Sequence, residues 1–214
     1  MIGLFGGAFD PVHHGHLRPA LEVFETLGLR ELRFIPLNQA PHKQQPTLPA
    51  EYRYRLLEQA LAGQPGFVAD RIELARGGVS YTVETLATLR RQLPKASLAL
   101  LLGTDAFAGL PGWHRWREIL EMAHIVLMTR PNSEIDERRF PAGYLADRLV
   151  ETPESLRAAP AGRILPVEVT QLDISSTRIR ALLQQGRTPR YLMPKALADR
   201  LTRDWPVPSK PVRQ

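Results

Sequence analysis

The chain contains no cysteine, which excludes a disulfide scaffold, a thiolate-ligated zinc site and a thiol nucleophile. Long apolar runs are also missing: the longest, around residues 98–102, falls far short of the roughly 20 residues that cross a bilayer. The start, Met1-Ile2-Gly3-Leu4-Phe5-Gly6-Gly7, lacks the basic region of a secretory leader. These absences point to a soluble cytoplasmic protein with no membrane role. Aromatics are few at 7%, and the basic residues are scattered along the chain. A nucleic-acid-binding module, which would interleave the two on one face, ranks low on that count. The charge balance, 28 Lys+Arg against 22 Asp+Glu, suits anionic partners, whether nucleic acid, phosphorylated metabolites or acidic protein. An ordinary solvated surface carries the same balance, so charge alone decides nothing.

What is present is a globular pattern. The chain has 214 residues, 43% of them hydrophobic, enough to bury a substantial core. Short apolar runs at 2–5, 32–35, 98–102 and 125–128 alternate with amphipathic stretches at 17–27, 51–62 and 82–93. That alternation predicts an α/β fold: a Rossmann-like, doubly wound parallel sheet with helices on both faces. Residues 164–169 predict one more strand, at an edge or irregular because of Pro166. Residues 176–183 and 195–202 add a small helical C-terminal part. Residues 39–49 predict a loop, and 130–162 mix turn formers with weak helical segments. The expected organisation is one domain over 1–204 and a flexible tail over 205–214, which contains three prolines.

Chemistry concentrates in two places. The first is Gly6-Gly7-Ala8-Phe9-Asp10-Pro11-Val12-His13-His14-Gly15-His16, between the first predicted strand and the first predicted helix. Ligands bind outside the carboxyl ends of parallel strands, and a helix start offers unpaired N–H groups to an anion. His13 and His16 are one helical turn apart and add donors suited to phosphate oxygens. The segment lacks the Gly-Lys-Ser/Thr of a Walker A loop and the Gly-x-Gly-x-x-Gly of a dinucleotide turn. Asp10, His13 and His16 could bind zinc, but no further clustered ligand is evident; histidines merely capping the helix are the other reading. The second place is Ile174-Ser175-Ser176-Thr177-Arg178-Ile179-Arg180, again before a helix. Ser175 or Asp173 could cap that helix without any ligand. Three hydroxyls and an arginine at a first turn also describe an anion site. Parallel strands would put both segments on one edge of the sheet, a geometry that suits a polyphosphate.

Gly7-x-Phe9-Asp10-Pro11-x-His13-x-Gly15-His16 together with Ile174-Ser175-Ser176-Thr177-x-Ile179-Arg180 resembles the signature of the nucleotidyltransferases that move adenylyl or cytidylyl groups. Ala40-Pro41-His42-Lys43, Ser80-Tyr81-Thr82 followed by Thr85-Leu86, and Gly103-Thr104-Asp105 with Trp113 eight residues later narrow the resemblance. They are similar to the bacterial nicotinate-mononucleotide adenylyltransferase family. Ala40 stands where a second proline is common. The resemblance implies ATP and nicotinate mononucleotide as partners, deamido-NAD and pyrophosphate as products, and Mg²⁺ entering with ATP. It implies ATP contacts from Gly7, Ala8, Phe9, His13, His16, Gly103, Asp105, Ser176, Thr177 and Arg178. Of these, His16, His13 and Arg178 are the catalytic candidates, together with Lys43. His42, Lys43, Tyr81, Thr82, Trp113, His114 and Arg130 are the implied mononucleotide contacts, and no protein-held metal is implied. Asp105 could instead cap a helix, and Trp113 with Trp116 could be core. Phosphopantetheine adenylyltransferase is the alternative within the superfamily. Leu182-Leu183 and Tyr191-Leu192 are left open as core or as the interface of a homo-oligomer.

Overall fold

The computed structural model describes residues 1–41, 45–130 and 136–206. Among these residues six strands form one parallel sheet: β1 (Ile2–Gly7), β2 (Glu31–Pro36), β3 (Phe67–Ala69), β4 (Leu98–Gly103), β5 (His124–Thr129) and β6 (Ile164–Glu168). Their spatial order is β3-β2-β1-β4-β5-β6, and every neighbouring pair is parallel. That order is the Rossmann arrangement, in which the winding reverses between the first and fourth strands. Of the two outcomes Pro166 left open, β6 is an edge strand, and Pro166 pairs with Leu127 there.

Period-two burial sends alternate side chains to opposite faces. Leu98, Leu100 and Leu102 of β4, with Ile125 and Leu127 of β5, enter one core; Ala99, Leu101, Val126 and Met128 enter the other. The core holding Val126 is covered by α1 (His14–Leu27), α2 (Ala50–Leu61), α8 (Ser176–Gln184) and α9 (Lys195–Asp204). The opposite core is covered by α4 (Thr82–Gln92), α5 (Thr104–Ala108) and α6 (Trp116–Met122). Strands buried on both faces explain the continuous apolar runs read from sequence.

Two short helices complete the set among the described residues, α3 (Ile72–Arg76) and α7 (Pro153–Arg157). The sequence reading missed β3, α3 and α6; α5 entered it only as the helix that Asp105 could cap, and α7 only among the weak helical segments of 130–162, all of them seven residues or shorter. It also started α1 at 17, three residues late, because the histidine turn lacks apolar periodicity. Trp205 packs half-buried against the first core, and residues 207–214 lie outside the described set. Among the described residues no helix is long and apolar enough to cross a membrane.

Candidate active site at the reversal of the sheet

β1 delivers the first signature turn to the point where β1 and β4 diverge. Phe9 sits there at φ 45°, in the left-handed region, with its side chain fully buried. Its ring occupies the space beside Gly7: a Cβ on Gly7 would stand 3.2 Å from it. A side chain there would make the Phe9 ring yield by a few tenths of an ångström, and glycine avoids that. α1 then begins at His14, with His13 in the extended cap position. The His13 amide donates to His16 Nδ1 at 3.3 Å, so neutral His16 carries its hydrogen on Nε2 and presents a donor.

The two imidazoles are in close contact, centroids 3.8 Å apart and planes tilted by 33°, and the Phe9 ring meets His16 edge-on at 5.2 Å. Burial pushes the His16 pKa down to about 3, with His13 adding to the shift. Burial likewise pushes His13 down to about 4, with a further contribution from His14. Both rings are therefore neutral at pH 7. Nδ1 of His13 is buried with no hydrogen-bond partner among the described residues. Gly15 permits this arrangement, because a Cβ there would lie 3.0 Å from the His13 ring and 3.1 Å from the Ile174 carbonyl.

A stability consequence follows from the direction of both shifts. Unfolded histidine titrates near ~6.5, so between that pH and the folded values the unfolded state binds more protons. Stability contributed by the neutral pair is intact above pH 6.5, then lost as the pH falls towards about 4 and about 3. Thermal melts at pH 7.5 and pH 4.5 should show a Tm drop that His16→Gln makes smaller. An equal drop in the variant would remove His16 as its source.

The second signature segment packs directly against the first. Ser175 caps α8, its Oγ accepting from the Arg178 amide at 3.2 Å. Ser176 Oγ donates to the Pro11 carbonyl at 2.9 Å. Arg180 Nη1 donates to the Asp10 carbonyl at 2.7 Å and meets the Asp10 carboxylate at 3.3 Å. Two helix starts more than 160 residues apart in sequence are thereby fixed side by side. Within a helix, the amides of its first turn have no partner, so Ser176 and Thr177 N–H groups are open to an anion. The Thr177 and Arg178 side chains face solvent.

On the other flank, Gly103 is the cap of α5 and Asp105 is its second residue, with an exposed side chain. The capping reading of Asp105 is thereby removed. The segment after β2 is stitched to the turn before α4. The Asn38 amide donates to Ser80 Oγ at 2.9 Å, and the Ser80 amide to Gln39 O at 2.9 Å. Tyr81 and Thr82 begin α4, and the Tyr81 ring lies against His114 at 4.6 Å. Behind this turn is buried Glu73, whose Oε1 accepts from the Thr85 hydroxyl at 2.7 Å. Burial pushes its carboxyl up, against the opposing hydrogen bonds from Thr85 and Ser80. Of the two tryptophans weighed as core, Trp116 is core, buried edge-on to Tyr144 at 4.9 Å. Trp113 is only half-buried. Arg130 follows β5 and donates through Nε to Gln171 at 2.6 Å. His42 and Lys43 lie outside the described residues.

Sequence reasoning missed the polar supports beneath these turns. Asp10 is buried and accepts from the Thr47 and Leu48 amides, both at 2.8 Å. Arg53, 1% exposed, donates to Leu48 O at 3.0 Å and to Ala8 O and Leu37 O at 2.7 Å each. Burial lowers the Arg53 pKa, and the negative charges of Asp10 and Glu73 oppose that. The available signal was an arginine on the apolar face of α2, at helical spacing from Leu56, Leu57 and Leu61.

A reversed parallel sheet with two helix N-termini converging beside a glycine turn defines a nucleotide-binding α/β protein. Residues 4–182 match the cytidylyltransferase-like family. The chain is 48% identical over 205 residues to the probable nicotinate-nucleotide adenylyltransferase of Methylococcus capsulatus, covering 95% of this chain and 98% of that one. It is 48% identical over 200 residues to its namesake in Halorhodospira halophila, covering 94% and 92%. In fold it is similar to the Plasmodium falciparum nicotinic acid mononucleotide adenylyltransferase solved with NaAD, with TM-score 0.70, 15% identity and 94% of each chain covered. The chain belongs to the nicotinate-nucleotide adenylyltransferase family, within the cytidylyltransferase-like group.

Proposed function

We propose that the protein transfers the adenylyl group of ATP to nicotinate mononucleotide, giving deamido-NAD and pyrophosphate. The observation that carries this reading is the pair of tied helix starts, α1 and α8, beside the end of β1. An oxygen of the mononucleotide 5′-phosphate attacks the α-phosphorus of ATP. The bond from that phosphorus to the bridging oxygen breaks, and pyrophosphate leaves with the electron pair. The attacking phosphate has a second pKa near ~6 and is already ionised at neutral pH, so no general base is required. The demand on the protein is alignment and charge stabilisation.

His16 Nε2–H, held neutral and pre-oriented, donates to the α-phosphate as charge develops there, and His13 assists beside it. Thr177, Arg178 and the first amides of α8 hold the β- and γ-phosphates. Ser176 contributes through its amide, since its hydroxyl is committed to Pro11. Gly7, Ala8 and Phe9 line the nucleotide, and Gly103 and Asp105 take the ribose. Lys43 and Arg130 neutralise the acceptor phosphate, with His42 close by in sequence. Tyr81, Thr82, Trp113 and His114 surround the pyridine ring and its carboxylate.

Nucleotidyltransferases generally take the triphosphate with a divalent cation, here Mg²⁺. Among the described residues no three His, Asp or Glu side chains form a metal-binding group. Mg²⁺ favours phosphate oxygens and water over a carboxylate cage, and it is assigned here to the substrate.

Pyrophosphate release with ATP and a panel of acceptors tests the reading. Nicotinate mononucleotide should be the preferred acceptor, ahead of its amide; preference for phosphopantetheine would overturn it. Trp113→Ala should raise KM for the mononucleotide about tenfold, the scale of one lost aromatic contact. ATP affinity should be unchanged; equal weakening of both would assign Trp113 to packing.

A further inference from the structure

Phe9 holds a left-handed backbone conformation, with φ 45°, that a bulky side chain adopts only when its surroundings impose it. The carbonyls on either side of it are each taken by an arginine. Arg53 Nη1 donates to Ala8 O at 2.7 Å, and Arg180 Nη1 donates to Asp10 O at 2.7 Å. Arg53 has two further attachments. Nη2 reaches Leu37 O at 2.7 Å and Nε reaches Leu48 O at 3.0 Å, the two ends of the 37–48 segment. The Gln45 side-chain amide pairs with both the N–H and the carbonyl of Ala40 at 3.0 Å. Asp10 grips the Leu48 end as well, through the Thr47 and Leu48 amides.

A guanidinium is rigid and planar, so three carbonyls bound to it are fixed relative to one another. The Ala8 carbonyl belongs to the turn assigned above to ATP. The Leu37 carbonyl leads into Asn38 and Gln39, which are hydrogen-bonded to Ser80, next to the Tyr81 and Thr82 assigned above to the mononucleotide. We infer that Arg53 is a positioning residue for the transfer: it sets the register between the nucleotide-donor turn and the acceptor segment without touching either substrate. The inference rests on the adenylyl-transfer reading. It explains why an arginine occupies the apolar face of α2, where a leucine would pack without any desolvation cost.

Arg53→Lys keeps the charge but cannot hold three carbonyls at once. With the folded fraction checked by circular dichroism, its kcat should fall about 100-fold, the scale expected when reacting groups are displaced by about 1 Å. The Kd for a non-hydrolysable ATP analogue, measured without acceptor, should stay within threefold of the parent. Unchanged kcat, or equal losses in kcat and in ATP-analogue affinity, would overturn the inference. If Arg53→Lys does not fold, Gln45→Ala reads the same segment from an exposed position. It should raise the acceptor KM about tenfold through loss of two hydrogen bonds, with ATP-analogue Kd unchanged; a parental KM would overturn the inference. The parent protein is assayed first with the acceptor panel. Failure to use any mononucleotide counts against the adenylyl-transfer reading, whereas active parent and active Arg53→Lys count against the role of Arg53 alone.

Discussion

His16→Ala should lower kcat roughly 100- to 1,000-fold, the ~2.7–4 kcal/mol typical of one donor aimed at charge that develops in the transition state. The basis is geometric. The His13 amide occupies His16 Nδ1, contact with the His13 ring fixes the imidazole, and the Phe9 edge closes a third side. A donor so constrained needs no reorganisation when the α-phosphate gains charge. Burial keeps the ring neutral in the free protein, so it is a hydrogen-bond donor waiting for an anion, not a fixed cation. KM for ATP should change far less than kcat, because the interaction strengthens only as the reaction proceeds. Steady-state kinetics at saturating mononucleotide read the split directly. A His16→Ala enzyme with near-parental kcat would remove His16 from the chemistry.

The second large effect concerns the support beneath the site. Asp10→Ala removes the acceptor for the Thr47 and Leu48 amides and leaves Arg180 without its carboxylate. Breaking a buried charge pair typically costs about 3–5 kcal/mol, most of it from groups left unpaired. Arg180 is about one-fifth exposed, which places the effect at the low end, about 3 kcal/mol. In a chain of this size that corresponds to a Tm lower by roughly 6–12 °C. Activity at low temperature should also fall, since α8 and the 45–48 strip lose a common anchor. A Tm within about 2 °C of the parent would show that water replaces the carboxylate at no net cost.

How much of this was legible in the sequence differs by kind of interaction. Strands buried on both faces announce themselves as apolar runs, and the amphipathic helices as spaced leucines. Five of the six strands among the described residues were therefore readable, and Pro166 narrowed β6 to an edge or an irregular strand, of which the fold shows the edge. β3 escaped because three residues carry no periodicity. In the site, the histidine turn and the serine-threonine segment were both readable, and the structure brings them together through Ser176 and Pro11. The supports were not. Arg53 and Asp10 act on backbone carbonyls and amides of distant residues, and backbone groups leave no trace in residue type. Ser176 shows the converse limit: its hydroxyl looks like a phosphate ligand in sequence, yet in the fold it ties two turns together.

Adenylyl transfer as proposed requires α1 and α8 to clasp the triphosphate of ATP jointly at the reversal of the sheet. A crystal structure with a non-hydrolysable ATP analogue tests it most directly. The α-phosphate should lie within hydrogen-bonding distance of His16 Nε2, and the terminal phosphates at the amides of Ser176 and Thr177. An analogue bound away from this edge, or held by α1 while α8 stays uninvolved, would contradict it.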